Sequence, residues 1–309
     1  MKTIADGLKK KLNSRILNQE TLTELAIASM LAGGHVLIEG VPGLAKTLWA
    51  KSLAQLIGAD FKRVQFTSDL MPSDILGTKV YKPQTGTFEL QKGPLFTQLF
   101  LADEINRTPP KTQSALLEVM EEKTITIDGQ SYGMKEPFFV AATQNPIEYE
   151  GTYPLPEALT DRFMMKLLIT YPGVAAEKQM LQMHSADDSL AEDLQPIFSG
   201  DEINEAKKEI KSVTVEDGVF NYIISVVETT RRVGAVQFGA SPRGSVALML
   251  ASKAYAAMQG RDFVIPDDVN FLALPVLRHR ILLRPEAEIE GVTSDVVIES
   301  ILSQVRAPR

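Results

Sequence analysis

The chain has 309 residues, of which 44% are hydrophobic and 23% charged, with a formal net charge of −7. That length supports a sizeable core divided over two domains, and the acidic balance argues against a sequence-independent grip on nucleic-acid phosphates, which needs a basic surface. With no cysteine there is no disulfide framework and no thiolate ligand or nucleophile, as a reducing compartment allows.

The N-terminal segment MKTIADGLKKKLNSRIL lacks an apolar run followed by a cleavage site. No uncharged apolar stretch approaches the ~18 residues of a membrane helix, so a soluble, cytoplasmic protein is expected. His35 to Glu39 reads as a buried strand, and the loop GVPGLAKT (40–47) follows it. Leu48 to Ile57 has helical apolar spacing, and Phe61 to Phe66 reads as a second strand. Lys79 to Leu90 has the look of a hairpin turning near Thr85-Gly86. Leu99 to Asp103 is a third strand, followed by a helix from about Pro110 to Glu122. Thr124 to Gly129 alternates with period two and runs into an Asp-Gly turn, a hairpin signal; edge strands of the main sheet are the alternative for both hairpins. Phe138 to Thr143 and Met164 to Ile169 complete the strands. Beyond Tyr171-Pro172-Gly173 the pattern turns helical, most clearly over Val219 to Val233 and Gly244 to Gln259. The expectation is an α/β domain over 1–175, a parallel sheet flanked by helices, and a smaller all-α domain over 176–309.

The loop Gly40-Val41-Pro42-Gly43-Leu44-Ala45-Lys46-Thr47 departs from the phosphate-binding pattern G-x-x-x-x-G-K-[ST] only at Ala45. It lies between a strand and a helix. Its backbone N–H groups and the positive end of the following helix suit phosphate oxygens. Lys46 is assigned to the β- and γ-phosphates and the Thr47 hydroxyl to Mg²⁺; Leu48 joins the nucleotide-binding set. Gly40 and Gly43 let the backbone approach the ligand. Ala45 matters only if its φ is positive, where a Cβ is costly; at negative φ it fits. Trp49 is either a reporter of binding or, more simply, a core contact.

A second apolar strand ends in two acids, Asp103-Glu104. A parallel sheet delivers them to the edge where the phosphate loop lies, Asp103 to hold Mg²⁺ through water and Glu104 to polarise the attacking water. A helix-capping pair is the alternative. Asn145 ends the fourth strand, where its amide can orient the lytic water; Arg162 precedes the fifth strand; Arg243 lies in Ser-Pro-Arg-Gly at a helix start, where a cation wants a nearby anion. Each alone has a plain reading as a turn amide, a surface ion pair or a loop arginine. His35, His184 and His279 show no metal-ligand spacing. Arg278-His279-Arg280 is a small basic patch or, more simply, a solvated helix-end cluster.

In this order the motifs resemble those of AAA+ P-loop ATPases, and more narrowly the MoxR group. The strings are GGHVLIEGVPGLAKT (33–47), VQFTSDLMPSDILG (64–77), FLADEINRTPPKTQSALLEVMEE (100–122), ATQNPIEYEGTYPLPEALTDRF (142–163) and SPRG (241–244). The resemblance implies a five-stranded parallel sheet with an all-α C-terminal lid. It makes Lys46 and Thr47 the first phosphate motif, Asp103 and Glu104 the second, Asn145 sensor 1, Arg162 the arginine finger and Arg243 sensor 2, acting on its own site or a neighbour's. It makes residues 79–92 the helix-2 insert and 124–136 the hairpin before sensor 1, and it places the adenine pocket near Ile16 and Leu17. It further implies ATP and Mg²⁺ as cofactors, a hexameric ring completed by a neighbour's Arg162, and kinship with magnesium chelatase ATPase subunits. Protein clients in complex maturation and a von Willebrand factor A domain partner follow from the same likeness. Asn18-Gln19 stands where the group has Gly-Gln, and Tyr149 and Thr160 stand where Gln and Leu are expected. The rival readings are a nucleic-acid motor, a non-hydrolysing nucleotide switch, and a GTPase or small-molecule kinase; no Asn-Lys-x-Asp guanine motif is present.

Overall fold

A computed structural model describes residues 1–146, 151–185 and 194–308, the side chains of 183–185 excepted. Tyr149 and the side chain of His184 lie outside the described residues. The strands are β1 (Val36–Glu39), β2 (Phe61–Gln65), β3 (Gly77–Lys82), β4 (Thr87–Lys92), β5 (Leu99–Asp103), β6 (Thr124–Ile127), β7 (Gln130–Gly133), β8 (Phe139–Gln144), β9 (Met165–Leu168), β10 (Val236–Phe238) and β11 (Leu282–Leu283). Among the described residues the central sheet has five strands in the order β2-β5-β8-β1-β9, and every pairing is parallel.

The three inner strands β5, β8 and β1 are buried on both faces and largely apolar, and their alternate residues feed different cores, whereas the edge strand β2 (FKRVQ) is largely exposed. Val36, Ile38, Leu99, Leu101, Phe139 and Ala141 face one side. Leu37, Phe100, Ala102, Val140 and Ala142 face the other, against the helix Pro110–Glu122. The first core is the larger. It joins the sheet to the helices Lys2–Asn13 and Glu20–Leu31 and to the C-terminal helices Pro242–Met258 and Pro266–Leu277. The two N-terminal helices were not legible as helices, and they form the bridge between sheet and C-terminal helices.

Both hairpin signals are hairpins outside the main sheet, β3 with β4 and β6 with β7. Asp128 and Gly129 both have positive φ, 48° and 76°, as a two-residue turn matched to strand twist requires. Among the described residues the C-terminal helical region departs from all-α by a short antiparallel pair, β10 with β11, and an isolated bridge between Thr214 and Phe263. Strands of three and two residues leave no periodicity to read.

Arg278-His279-Arg280 is neither a basic patch nor solvated. It follows the helix Pro266–Leu277 and fastens it to residues 161–166. Arg280, with its side chain 3% exposed, pairs through Nε with Asp161 at 2.7 Å. It also donates to the carbonyls of Asp161 (2.9 Å), Phe163 (2.7 Å), Met164 (3.0 Å) and Val276. His279 Nε2 donates to the Phe163 carbonyl at 2.9 Å, and Arg278 pairs with Asp295 and donates to the Lys166 carbonyl. Removing one partner of a buried pair strands the other charge. Arg280→Ala is therefore expected to lower unfolding stability in urea by roughly 3–5 kcal/mol, whereas Arg243→Ala, at an exposed pair, should cost less than about 1 kcal/mol.

His35 gives a pH signature. It is buried, its Nδ1 accepts from the Val140 N–H at 3.0 Å, and its Nε2 donates to the Met120 carbonyl at 3.3 Å. Burial pushes its pKa down from 6.5 to about 4, and a second proton would meet an N–H already pointing at Nδ1. The unfolded chain then binds the proton first. Stability conferred by neutral His35 is full above pH 6.5 and falls as pH drops towards 4, by about 3 kcal/mol for one group at ~1.4 kcal/mol per unit. Urea midpoints across that window should slope with pH in wild type and flatten in His35→Gln.

Candidate active site

The loop after β1 turns sharply into the helix Lys46–Leu56. Gly43 has φ 85° with open space where a Cβ would stand. At Gly40 an added Cβ would lie 2.8 Å from the Ile169 carbonyl oxygen, so packing against the run-out of β9 by itself requires glycine. Ala45 adopts φ 55° and ψ 20°. The condition under which its Cβ matters is thus met, and the loop carries a left-handed alanine that costs roughly 1–2 kcal/mol. Lys46 Nζ donates to the Gly40 carbonyl at 2.6 Å. Burial lowers the Lys46 pKa from its ordinary value, opposed by the charges of Asp103, Glu104 and Glu39. Thr47 is the second residue of the helix.

Parallel strands bring Asp103, Glu104 and Asn145 to the same edge as the loop. Asp103 is buried; its Oδ1 accepts from Thr143 Oγ1 at 2.5 Å and its Oδ2 from Arg63, at 2.7 and 3.0 Å. Glu104 stands at φ 56°, and its N–H donates to the same Thr143 hydroxyl at 2.8 Å. Its Oε2 accepts from Gln65 Nε2 at 2.6 Å and from Arg107 at 2.9 Å. Asn145 is buried just past β8. This arrangement can hold a polyanion on backbone amides and an ammonium, and present a carboxylate to a water.

Thr143, Arg63 and Gln65 escaped the sequence reading. The available signal for Thr143 was a lone hydroxyl in an otherwise apolar strand. For Arg63 and Gln65 the pairing is set by strand register, Gln65 opposite Asp103.

A cavity of ≈ 580 Å³ adjoins the loop, lined in part by Ile16, Leu17, Gly43, Ala45, Leu48 and Tyr171. Ile16 and Leu48 therefore flank it, as does Leu17. Asn18, where glycine was expected, has φ 59°; asparagine tolerates that conformation better than other non-glycine residues. Trp49 is fully buried, donates to Thr23 Oγ1 at 3.3 Å and is a core contact.

Arg162 and Arg243 come together, but not here. Arg162 lies three residues before β9, at the amino edge of the sheet, while Lys46 lies beyond the carboxyl end of the adjacent parallel strand β1. The four residues of β1 alone span about 13 Å. Both arginines line a second cavity of ≈ 440 Å³ that includes Gly33, Gly34 and Glu121. Arg162 pairs with Glu121 Oε2 at 2.9 Å and Arg243 with Oε1. Ser241 caps the helix Pro242–Met258, accepting from the Arg243 N–H at 3.1 Å, and its hydroxyl donates to Asp161 at 3.0 Å.

Two substitutions test this geometry. Ala45→Gly should raise stability by roughly 1 kcal/mol by relieving the left-handed Cβ, read as a higher thermal midpoint. Thr143→Val keeps the shape but removes a donor to Asp103 and an acceptor for Glu104. It should cost about 1–3 kcal/mol of stability and lower ATP turnover by roughly ten-fold or more, with a far smaller change in KM.

The family described as "ATPase family associated with various cellular activities (AAA)" matches residues 35–165, and the "AAA lid domain" matches 228–301. The chain is 47% identical to YeaC of Bacillus subtilis, covering 96% of this chain and 92% of that one. It is 40% identical to the protein named Chaperone MoxR1 of Mycobacterium tuberculosis, covering 95% and 80%. A crystal structure from Cytophaga hutchinsonii superimposes with a TM-score of 0.92 at 41% identity, covering 100% of this chain and 96% of that one. The loop, the acid pair and the helical lid on one chain, together with these likenesses, place it in the MoxR family of AAA+ ATPases.

Proposed function

We propose that the protein is a Mg²⁺-dependent ATPase that works as a head-to-tail ring and remodels protein complexes. One observation carries the ring: Arg162 and Arg243 sit at the edge of the sheet opposite Lys46. An arginine finger that cannot serve its own phosphate loop serves a neighbour's, and only a heterologous contact repeated around a closed ring does so for every subunit. Both arginines then act in trans.

Within each site the loop amides of residues 40–47 and Lys46 bind the triphosphate, and the cavity beside Ile16, Leu17 and Leu48 takes the adenosine. Glu104 polarises the attacking water and Asn145 orients it. Thr47 and Asp103 offer Mg²⁺ two hard oxygen donors, the number suited to an ion that keeps its waters and shares phosphate oxygens, and its chemistry there is to neutralise phosphate charge. Both Asp103 oxygens are already engaged by Thr143 and Arg63, which fits contact through water.

The division at about residue 175 into nucleotide-binding and lid domains belongs to this reading. The Arg280 fastening and the shared core hold the lid to its own α/β part. That directs motion to the joints between subunits. Protein clients, a von Willebrand factor A domain partner, a six-membered ring and a cytoplasmic site of action complete the proposal. The relative named as a chaperone supports a protein client, and the internal use of Arg278–Arg280 removes a basic cluster that was a candidate for nucleic acid.

The test is steady-state ATP hydrolysis against protein concentration for wild type, Lys46→Ala, Arg162→Ala and an equal mixture of the two variants. Specific activity should rise with concentration, and Arg162→Ala should lose about 10³-fold or more. The mixture should regain activity that neither variant has. Full turnover by Arg162→Ala would end the ring reading.

A further inference from the structure

Helix Pro110–Glu122 ends in Glu121-Glu122 and carries no basic residue in its last turn. Acids at a helix C-terminus oppose the helix dipole, so Glu121 is not placed there for the helix's own stability. Its carboxylate instead gathers two arginines from elements 81 positions apart in sequence: Arg162 on Oε2 at 2.9 Å and Arg243 on Oε1. A guanidinium fork accepts a carboxylate or a phosphate with the same planar geometry.

The charges around this cluster do not balance. Asp161 and Arg280 neutralise each other, and His35, with its lowered pKa, is neutral near pH 7. That leaves two guanidinium groups sharing one carboxylate. Arg162 Nε is buried and has no acceptor among the described residues. The cluster opens on the ≈ 440 Å³ cavity, with Arg243 54% and Glu121 36% exposed. The Arg243–Glu121 pair is exposed and such pairs are weak and readily exchanged, while Arg162, 26% exposed, is partly buried beside it.

We propose that Glu121 is the positioning residue for the two trans arginines, a carboxylate that holds them side by side in the free subunit and yields them to the phosphates of a neighbour's nucleotide. The proposal rests on the trans reading of Arg162 and Arg243 given above. It has a mechanical consequence. Glu121 is two residues before Lys123, whose left-handed φ of 53° starts the β6–β7 hairpin. Release of Glu121 therefore reports a neighbour's nucleotide at the root of that hairpin.

The experiment uses the full chain with Glu121→Gln, which keeps size and one acceptor oxygen while removing the charge. Specific ATPase activity is followed against protein concentration, alongside kcat, KM and thermal unfolding. The proposal expects unfolding within a few degrees of wild type and a half-maximal concentration lowered by roughly three- to ten-fold, because the arginines no longer have a competing anion. Glu121→Asp, too short to reach both arginines at once, should shift in the same direction by less, and it serves if Glu121→Gln does not fold. An unchanged concentration profile in the folded variant, with Arg162→Ala still inactive, overturns the role of Glu121 and leaves the ring reading intact. A raised half-maximal concentration together with lost stability makes Glu121 a strut and overturns it equally. Full activity of Arg162→Ala removes both readings, and that result is seen whatever Glu121 does.

Discussion

Five strands running the same way are the constraint on which the rest depends. In a parallel sheet every carboxyl end lies on one edge and every amino end on the other, so chemistry that follows a strand and chemistry that precedes one are kept a strand-length apart. The loop after β1, the acids ending β5 and the amide after β8 share an edge for this reason. Arg162, which precedes β9, is on the other by the same rule. The direction of five short strands thus decides that Lys46, Asp103 and Glu104 lie on one edge of the subunit and Arg162 on the other.

At the carboxyl edge the acids are held by hydrogen bonds that cross between strands. The Thr143 hydroxyl donates to Asp103 and accepts from the Glu104 N–H, so one buried side chain orients both acids. Two left-handed residues, Ala45 and Glu104, lie within this small region. Backbone strain collects at sites that must aim groups, and it persists because the surrounding sheet and helix over-determine those positions. Lys46, resting on the Gly40 carbonyl, is kept near the acids without being locked to either.

The amino edge is built from different material. Arg280 is sealed beneath residues 161–164 with every contact satisfied by Asp161 or a carbonyl, which fixes the segment that carries Arg162. Arg243, exposed, and Arg162, partly buried, share one carboxylate. Deep burial of Arg280, partial burial of Arg162 and exposure of Arg243 around one cavity separate a permanent fastening from an exchangeable one. Desolvated charge pairs are costly to break and exposed ones are not.

Much of this was legible in the sequence because it is local. The β-strands alternate or run apolar, the loop keeps its lysine and threonine, the Asp-Gly pair turns, and Ser241 caps the helix it precedes. These follow from backbone geometry over a few residues, and the AAA+ resemblance drew on the same short motifs. What the tertiary structure alone decided is whatever depends on register between distant segments. Arg63, Gln65 and Thr143 meet the acids only because β2, β5 and β8 pair in one alignment. The sign of φ at Ala45, the reason for Gly40, the burial of Arg280 and the meeting of Arg162 with Arg243 depend on what packs opposite each residue. A sequence specifies side chains and their spacing. Which charge is sealed and which is left open is set by the neighbours that folding brings from 40 to 120 positions away.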